Sequence, residues 1–150
     1  MRKLERWMVT AAVLLSMCAV GCGSLAIDDD PPIVRAANNG YQNKIAQLLK
    51  SGADPNTRGR HSTPLTLVAI NDSYRSSAEL LISAGADVNL VDRDGITPLY
   101  EAAVNDAPGN FALLVRHGAS MSQKVPLEGL TACQSAARYH VARILRRFCT

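Results

Sequence analysis

This chain of 150 residues carries only three histidines and four cysteines, and it has none of the short signatures that mark the commoner enzyme sites. It contains no nucleophile elbow, no Walker phosphate loop and no dinucleotide fingerprint, and its one Gly-Cys-Gly-Ser run, at 21–24, closes a hydrophobic leader. His61, His117 and His140 fall at no spacing that presents two ligands on one face, so neither a metal nor another cofactor is expected. His117 stands just before Gly118, where a side chain does no more than meet the last carbonyls of a helix. Nor is there an excess of one charge: beyond residue 21 the chain keeps 13 Lys and Arg against 12 Asp and Glu. The whole-chain pI of about 8.8 is therefore no ground for nucleic-acid binding.

One long run lacks Asp, Glu, Lys and Arg altogether. "MRKLERW" sets Arg2, Lys3 and Arg6 against Glu5, and Trp7 to Ile27 then runs without a charge, the pattern of an export signal. Ala19-Val20-Gly21-Cys22 resembles a bacterial lipobox, with Ala where the position three before the cysteine is usually Leu. On that resemblance residues 1–21 form a signal peptide and Cys22 is the lipidated first residue. Residues 22–30 are then a tether whose stretch from Gly23 to Asp30 reaches at most ~28 Å. The same run has about the ~20 residues of a spanning helix, so an uncleaved signal anchor is the other reading. Both place the remainder outside the inner membrane, as do the positive residues before the run and the acidic Asp28–Asp30 after it. Gly23 after the acylated cysteine, in place of Asp, implies the periplasmic face of the outer membrane.

The rest of the chain repeats itself. "GADPN" (52–56) returns as "GADVN" (85–89) and, worn, as "GASMS" (118–122), a period of 33. In step with these, "STPLTLVA" (62–69) returns as "ITPLYEAA" (96–103) and "LTACQSAA" (130–137), and "PPIVRAA" (31–37) is a degenerate first copy. Thr63 and Thr97 are placed to cap helices whose first positions are Pro64 and Pro98. Leu65, Leu99 and the paired alanines Ala102, Ala103, Ala136 and Ala137 form a stripe that lets helices approach closely. A second helix follows in each unit, with apolar residues at Ile45, Leu48, Leu49, at Ala78, Leu81, Ile82, and at Phe111, Leu114, Val115. Ser76 and Glu79 have the spacing of a capping box. Gly52, Gly85 and Gly118 end these second helices.

This order of motifs resembles the ankyrin repeat. The resemblance covers 31–150 and implies an all-α solenoid of about four helix-turn-helix units with β-hairpin-like finger loops. The fingers are "TRGRHS" (57–62), "LVDRDGI" (90–96), whose Asp94-Gly95 is a tight-turn signal, and "QKVPLEGL" (123–130). Asp92, Asp94 and Asp106 occupy turn positions, where shaping the backbone accounts for them.

The end units have one neighbour each and must differ from the middle. In "VARILRRFC", Val141, Ile144, Leu145 and Phe148 make one face and Arg143, Arg146 and Arg147 another, which suits a cap and also a short basic helix lying on anionic lipid. The helices of this unit are expected to be short or irregular. Cys133 opens its first helix and Cys149 closes its second, in a compartment that permits disulfides. A bridge fits that placement, and so does a buried small side chain with a free terminal thiol.

Ankyrin proteins generally bind partner proteins through finger tips and the turns after the paired alanines, and matching that pattern selects residues here. The fingers contribute Arg58, Arg60, His61, Arg93, Asp94 and Glu128. The inner helices contribute Asn38, Asn39, Ile70, Asn71, Val104, Asn105, Arg138 and Tyr139, with Tyr41 and Tyr74 as aromatic anchors near the inter-helix loops. Each is equally readable as a solvated position. The implied protein is a non-enzymatic, lipid-anchored envelope module, monomeric apart from its protein partner. By architecture it resembles the ankyrin lipoproteins that act as immunity proteins to lipase-like type VI secretion effectors. An envelope assembly or stress-tolerance scaffold is the alternative.

Overall fold

The computed structural model describes residues 29–126 and 128–149. The leader, Cys22 and most of the expected tether lie outside them. Four helix pairs follow one another: α1 (Pro32–Asn38) with α2 (Gln42–Lys50), α3 (Pro64–Ala69) with α4 (Arg75–Ser83), α5 (Pro98–Val104) with α6 (Pro108–Arg116), and α7 (Ala132–Arg138) with α8 (Ala142–Phe148). The strands among the described residues are β1 (Lys124–Val125) and β2 (Leu130–Thr131), antiparallel with Lys124 opposite Thr131. This is the all-α solenoid that the repeats imply. No described helix is long and apolar enough to cross a membrane.

The first helix of each later unit starts where a threonine accepts a backbone N–H. Thr63 Oγ1 takes that of Thr66 at 3.3 Å, Thr97 Oγ1 that of Tyr100 at 3.1 Å, and Thr131 Oγ1 that of Gln134 at 3.3 Å. Three first helices end alike, on a left-handed residue: Gly40 (φ 66°), Asp106 (φ 53°) and His140 (φ 57°). The next N–H then reaches back to the helix, as Val141 does to Ala136 O at 2.8 Å.

The second unit departs from this plan. Asn71 Oδ1 accepts the Ser73 N–H at 2.9 Å and opens a 3₁₀ turn (Asp72–Tyr74) that runs directly into α4. Helix α4 therefore begins at Arg75, and the capping box expected at Ser76 and Glu79 does not form. Ser76 lies inside the helix, and Glu79 instead meets Arg75, one turn back, at 3.1 Å.

Packing follows the period. Ala36, Ala37, Ala69, Ala102, Ala103 and Ala136 are buried between first helices, and Ile45, Leu81, Phe111, Leu114 and Ile144 are wholly buried between second helices. Each such large side chain contributes about 1.5–3 kcal/mol by leaving water. Ala137 is exposed.

The repeated phrase joins layers. Gly52, Gly85 and Gly118 adopt φ near 90°, which lets the following alanine N–H return to the helix at 3.0 Å in all three copies. Asn56 then reaches across, its Oδ1 accepting the Asp87 N–H at 2.8 Å and its Nδ2 donating to Gly85 O at 3.1 Å. Asn89 makes the same two bonds to Ser120 and Gly118. In the worn copy Ser122 stands where Asn would be, and among the described residues it meets no further Gly-Ala turn.

The last pair closes the stack. Ile144 and Val141 are buried, Phe148 stacks on Phe111 with ring centroids 4.8 Å apart, and Arg147 lies 5.4 Å above the Phe148 ring. Arg143 Nε donates to Asp106 Oδ2 at 2.6 Å, tying the cap to the preceding unit. Helix α8 is two residues shorter than the other second helices, in line with the short or irregular helices expected of this unit. The sulfurs of Cys133 and Cys149 are bonded, with Cα atoms 5.6 Å apart.

Candidate partner-binding surface

Each finger is fixed by its own device. In the second, the buried Asp92 accepts the N–H groups of Asp94 and Ile96 on Oδ1, at 3.0 and 2.9 Å, while its own N–H donates to Ile96 O at 3.0 Å. Burial pushes the Asp92 carboxyl above its ordinary value, and these two hydrogen bonds oppose the rise. The first finger closes on Gly59 N–H to Ser62 O at 2.9 Å and is held from outside by Asp30, whose Oδ1 accepts the Arg60 N–H at 2.5 Å. Only the third finger, among the described residues, forms a strand pair. The hairpins implied for the others are side-chain-pinned loops.

The fingers touch in sequence. Arg93 N–H points at His61 O at 3.4 Å, and His61 Nδ1 lies 3.9 Å from Asp94 Oδ2. Pro126 of the third finger sits against Gly95 of the second so closely that a Cβ on residue 95 would lie 2.7 Å from the proline ring. The three tips therefore form one continuous row.

Along this row the structure sorts the residues selected from sequence. Arg58, Arg60, His61, Arg93 and Asp94 are exposed together on the first two fingers. A recess of about 290 Å³ opens there, lined by Asp29, Pro31, Arg58, Gly59, Arg60 and Arg93. Arg60 reaches Asp29 at 3.7 Å, whereas Arg58 and Arg93 meet no carboxylate within 4.0 Å among the described residues.

At the other end the half-buried Glu128 faces the inner helices. Tyr139 O–H donates to its Oε1 at 2.6 Å, which holds the Glu128 carboxyl below its ordinary value and raises the Tyr139 phenol. Tyr100 is buried beside them, its phenol raised first by burial and then by Glu128. Next to it, burial raises the Glu101 carboxyl against a 2.9 Å hydrogen bond from Asn105 Nδ2. Tyr100, Glu101 and the two aspartates of the tether belong to this surface and were not selected from sequence. Tyr100 and Glu101 follow the Thr-Pro-Leu motif, and their place beside a fingertip was the available signal.

The inner-helix ends are divided. Asn38, Ile70, Arg138 and Tyr139 are exposed and Val104 is half-buried. Asn39, Asn71 and Asn105 are exposed, but their side chains already serve the backbone at Arg35 O, Ser73 N–H and Glu101 O respectively. Tyr41 is 62% exposed, apart from the finger row, beside a depression shared with Pro32, Arg35 and Lys44. Tyr74 does not join it: the ring is half-buried against Gly40 of the unit before and packs on the core.

A wider apolar groove of about 520 Å³ lies between α2 and α4, lined by Ala46, Leu49, Leu80 and Ala84 among others. The finger row itself combines cationic, hydrogen-bonding and aromatic groups on a shallow surface, which is the chemistry of protein interfaces.

Comparison with known proteins agrees with the repeat architecture. The family model described as ankyrin repeats (3 copies) matches residues 33–125. Alpha-latrocrustotoxin-Lt1a of Latrodectus tredecimguttatus is 33% identical over 87 residues, which is 56% of this chain and 6% of that much longer protein.

Proposed function

The chain belongs to the ankyrin-repeat family, and on that premise we propose a non-enzymatic module that binds another protein with its row of fingertips and inner-helix ends. The observation that carries this reading is a division of labour. Thr63, Asn56, Asn89, Asp92 and Asn110 are consumed in holding the layers and loops, while Arg58, Arg93, Arg138 and Ile70 are exposed, the three arginines with no side-chain hydrogen bond among the described residues.

The module acts in the envelope, anchored through a lipidated Cys22 to the inner leaflet of the outer membrane. The uncharged leader and its resemblance to a lipobox support that placement, and the Cys133–Cys149 bridge fits an oxidising compartment. Its most specific role is immunity to a lipase-like type VI effector, blocking the toxin's active site by occlusion. The export-signal pattern of residues 1–21 followed by ankyrin repeats supports it.

The test is a competition. Cells deleted for this chain should be killed by sister cells delivering the cognate effector, and supplying the chain should restore survival. A growth or envelope defect in the absence of any toxin, with no effector-dependent killing, would make it an assembly or stress-tolerance scaffold instead. Radiolabelled palmitate incorporation lost in Cys22→Ser tests the anchor separately.

A further inference from the structure

We propose that the recess between the first and second fingers receives an acidic segment of the partner protein, its carboxylates entering beside Arg58 and Arg93. The inference rests on the protein-binding reading above and names the chemistry of the partner at one end of the row.

Three guanidinium groups converge on this recess from two neighbouring fingers, and their roots are fixed. The buried Asp92 pins the loop that carries Arg93, and the Gly59–Ser62 bond together with Asp30 pins the loop that carries Arg58 and Arg60. Prepositioned guanidinium forks lose little freedom on gripping a carboxylate. At about 290 Å³ the recess holds on the order of ten water volumes, room for one or two acidic side chains and not for a helix.

The chain itself displays the chemistry. Asp29 lines the recess and lies 3.7 Å from Arg60, and Asp30 accepts the Arg60 N–H. One arginine is thus served by an internal carboxylate, while Arg58, which feels the buried Asp92 only beyond ion-pair reach, and Arg93 stay open to an external one. The surroundings select a local acidic loop over a broad anionic surface. Asp94, beside His61, and Glu128, at the next fingertip, are carboxylates on the same row, and a membrane or a nucleic acid laid across it would meet them.

The experiment observes the arginine side-chain Nε–H resonances of the full chain in non-ionic detergent while an acetylated tetraglutamate peptide is added. The Arg58 and Arg93 signals are expected to move saturably, and Arg116, which lies at the end of helix α6, to stay still. The Arg58→Gln/Arg93→Gln double variant should lose peptide binding with its helical circular dichroism intact. Asp29→Asn, which removes the internal competitor, should bind the peptide about two- to fivefold more tightly, the worth of one exposed ion pair.

Absence of a saturable shift, or an equal response to tetralysine, would overturn the proposal. So would a stronger response to inorganic phosphate or to soluble dihexanoylphosphatidylglycerol at the same concentration, which would assign the recess to phosphate or to lipid. Capture of an envelope protein that the double variant retains in full would overturn the acidic-segment inference and leave protein binding standing. Saturable tetraglutamate binding with no envelope protein captured by any form would do the reverse.

Discussion

Asp72 of the second unit caps a helix of the third: its Oδ1 accepts the Asn110 N–H at 2.8 Å and its Oδ2 the Gly109 N–H at 3.0 Å, both in the first turn of α6. Asn110 answers in the other direction. Its wholly buried amide donates to Val68 O, Ala69 O and Asn71 O at 3.0, 3.3 and 2.8 Å, so the end of α3 is closed by a side chain from the next layer. Asp72→Ala should cost about 1 kcal/mol, as loss of a helix cap does. Asn110→Ala should cost about 2–3 kcal/mol, because it leaves buried carbonyls unpaired. Since the two residues share one network, the double variant should lose less than the sum. Urea unfolding of the four proteins tests this, and simple additivity would show that the layers are not coupled here.

The same pair shows what the sequence could and could not reveal. Helix starts at Thr63 and Thr97, the glycine stops and the buried stripes were legible because each is a local pattern of a few residues. The link from Asp72 to Asn110 was not, because its partners stand 38 positions apart and neither residue departs from ordinary loop composition. Ser76 and Glu79 misled for a related reason: their spacing is right, but the 3₁₀ turn begun by Asn71 extends the helix past them. On the binding surface the fingertip arginines could be placed from the repeat phase alone. Asp29 and Asp30, lying in what reads as a tether, could not, since only the folded first finger brings them to Arg60.

The layer-joining asparagines make a sharper test of the repeated phrase. Asn89→Ala removes an acceptor from Ser120 N–H and a donor to Gly118 O, and should lower stability by about 1–2 kcal/mol. Ser122→Asn restores the consensus letter at a place where no described turn stands to be held, and should change stability by less than about 0.5 kcal/mol. A gain of 1 kcal/mol or more from Ser122→Asn in thermal or urea unfolding would show that the asparagine acts within its own turn and not across layers.

Two carboxylates on the inner face should respond to pH in opposite senses. Burial raises Glu101, so the folded chain holds that proton more tightly than the unfolded one. Its contribution is complete below the ordinary carboxylate value and is lost as pH rises through the folded value. Glu101→Gln keeps an acceptor for Asn105 and should gain on the wild type as pH climbs from about 4.5 towards 7. Glu128 is lowered by the Tyr139 hydrogen bond, so its contribution is present above the ordinary value and is lost as pH falls through the folded one. Tyr139→Phe should therefore be less stable than the wild type near neutrality and approach it in acid. Parallel pH profiles of unfolding for the wild type and either variant would contradict the assignment concerned.

The Cys133–Cys149 bridge should matter locally more than globally. It ties the first turn of α7 to the end of α8 and closes a loop of sequence separation 16, for which chain entropy suggests about 3 kcal/mol. In a solenoid each unit is stabilised by its neighbours, so the effect should stay near the unit that carries the bridge. On reduction, or in Cys149→Ser, amide exchange should quicken through α8, which the buried Ile144, Phe148 and Arg143 still join to the preceding unit, while α3 and α5 keep their protection. Uniform acceleration across all four units would mean instead that the cap governs the cooperativity of the whole stack. Full reaction of the exported, unreduced protein with a thiol reagent would remove the bridge from the argument altogether.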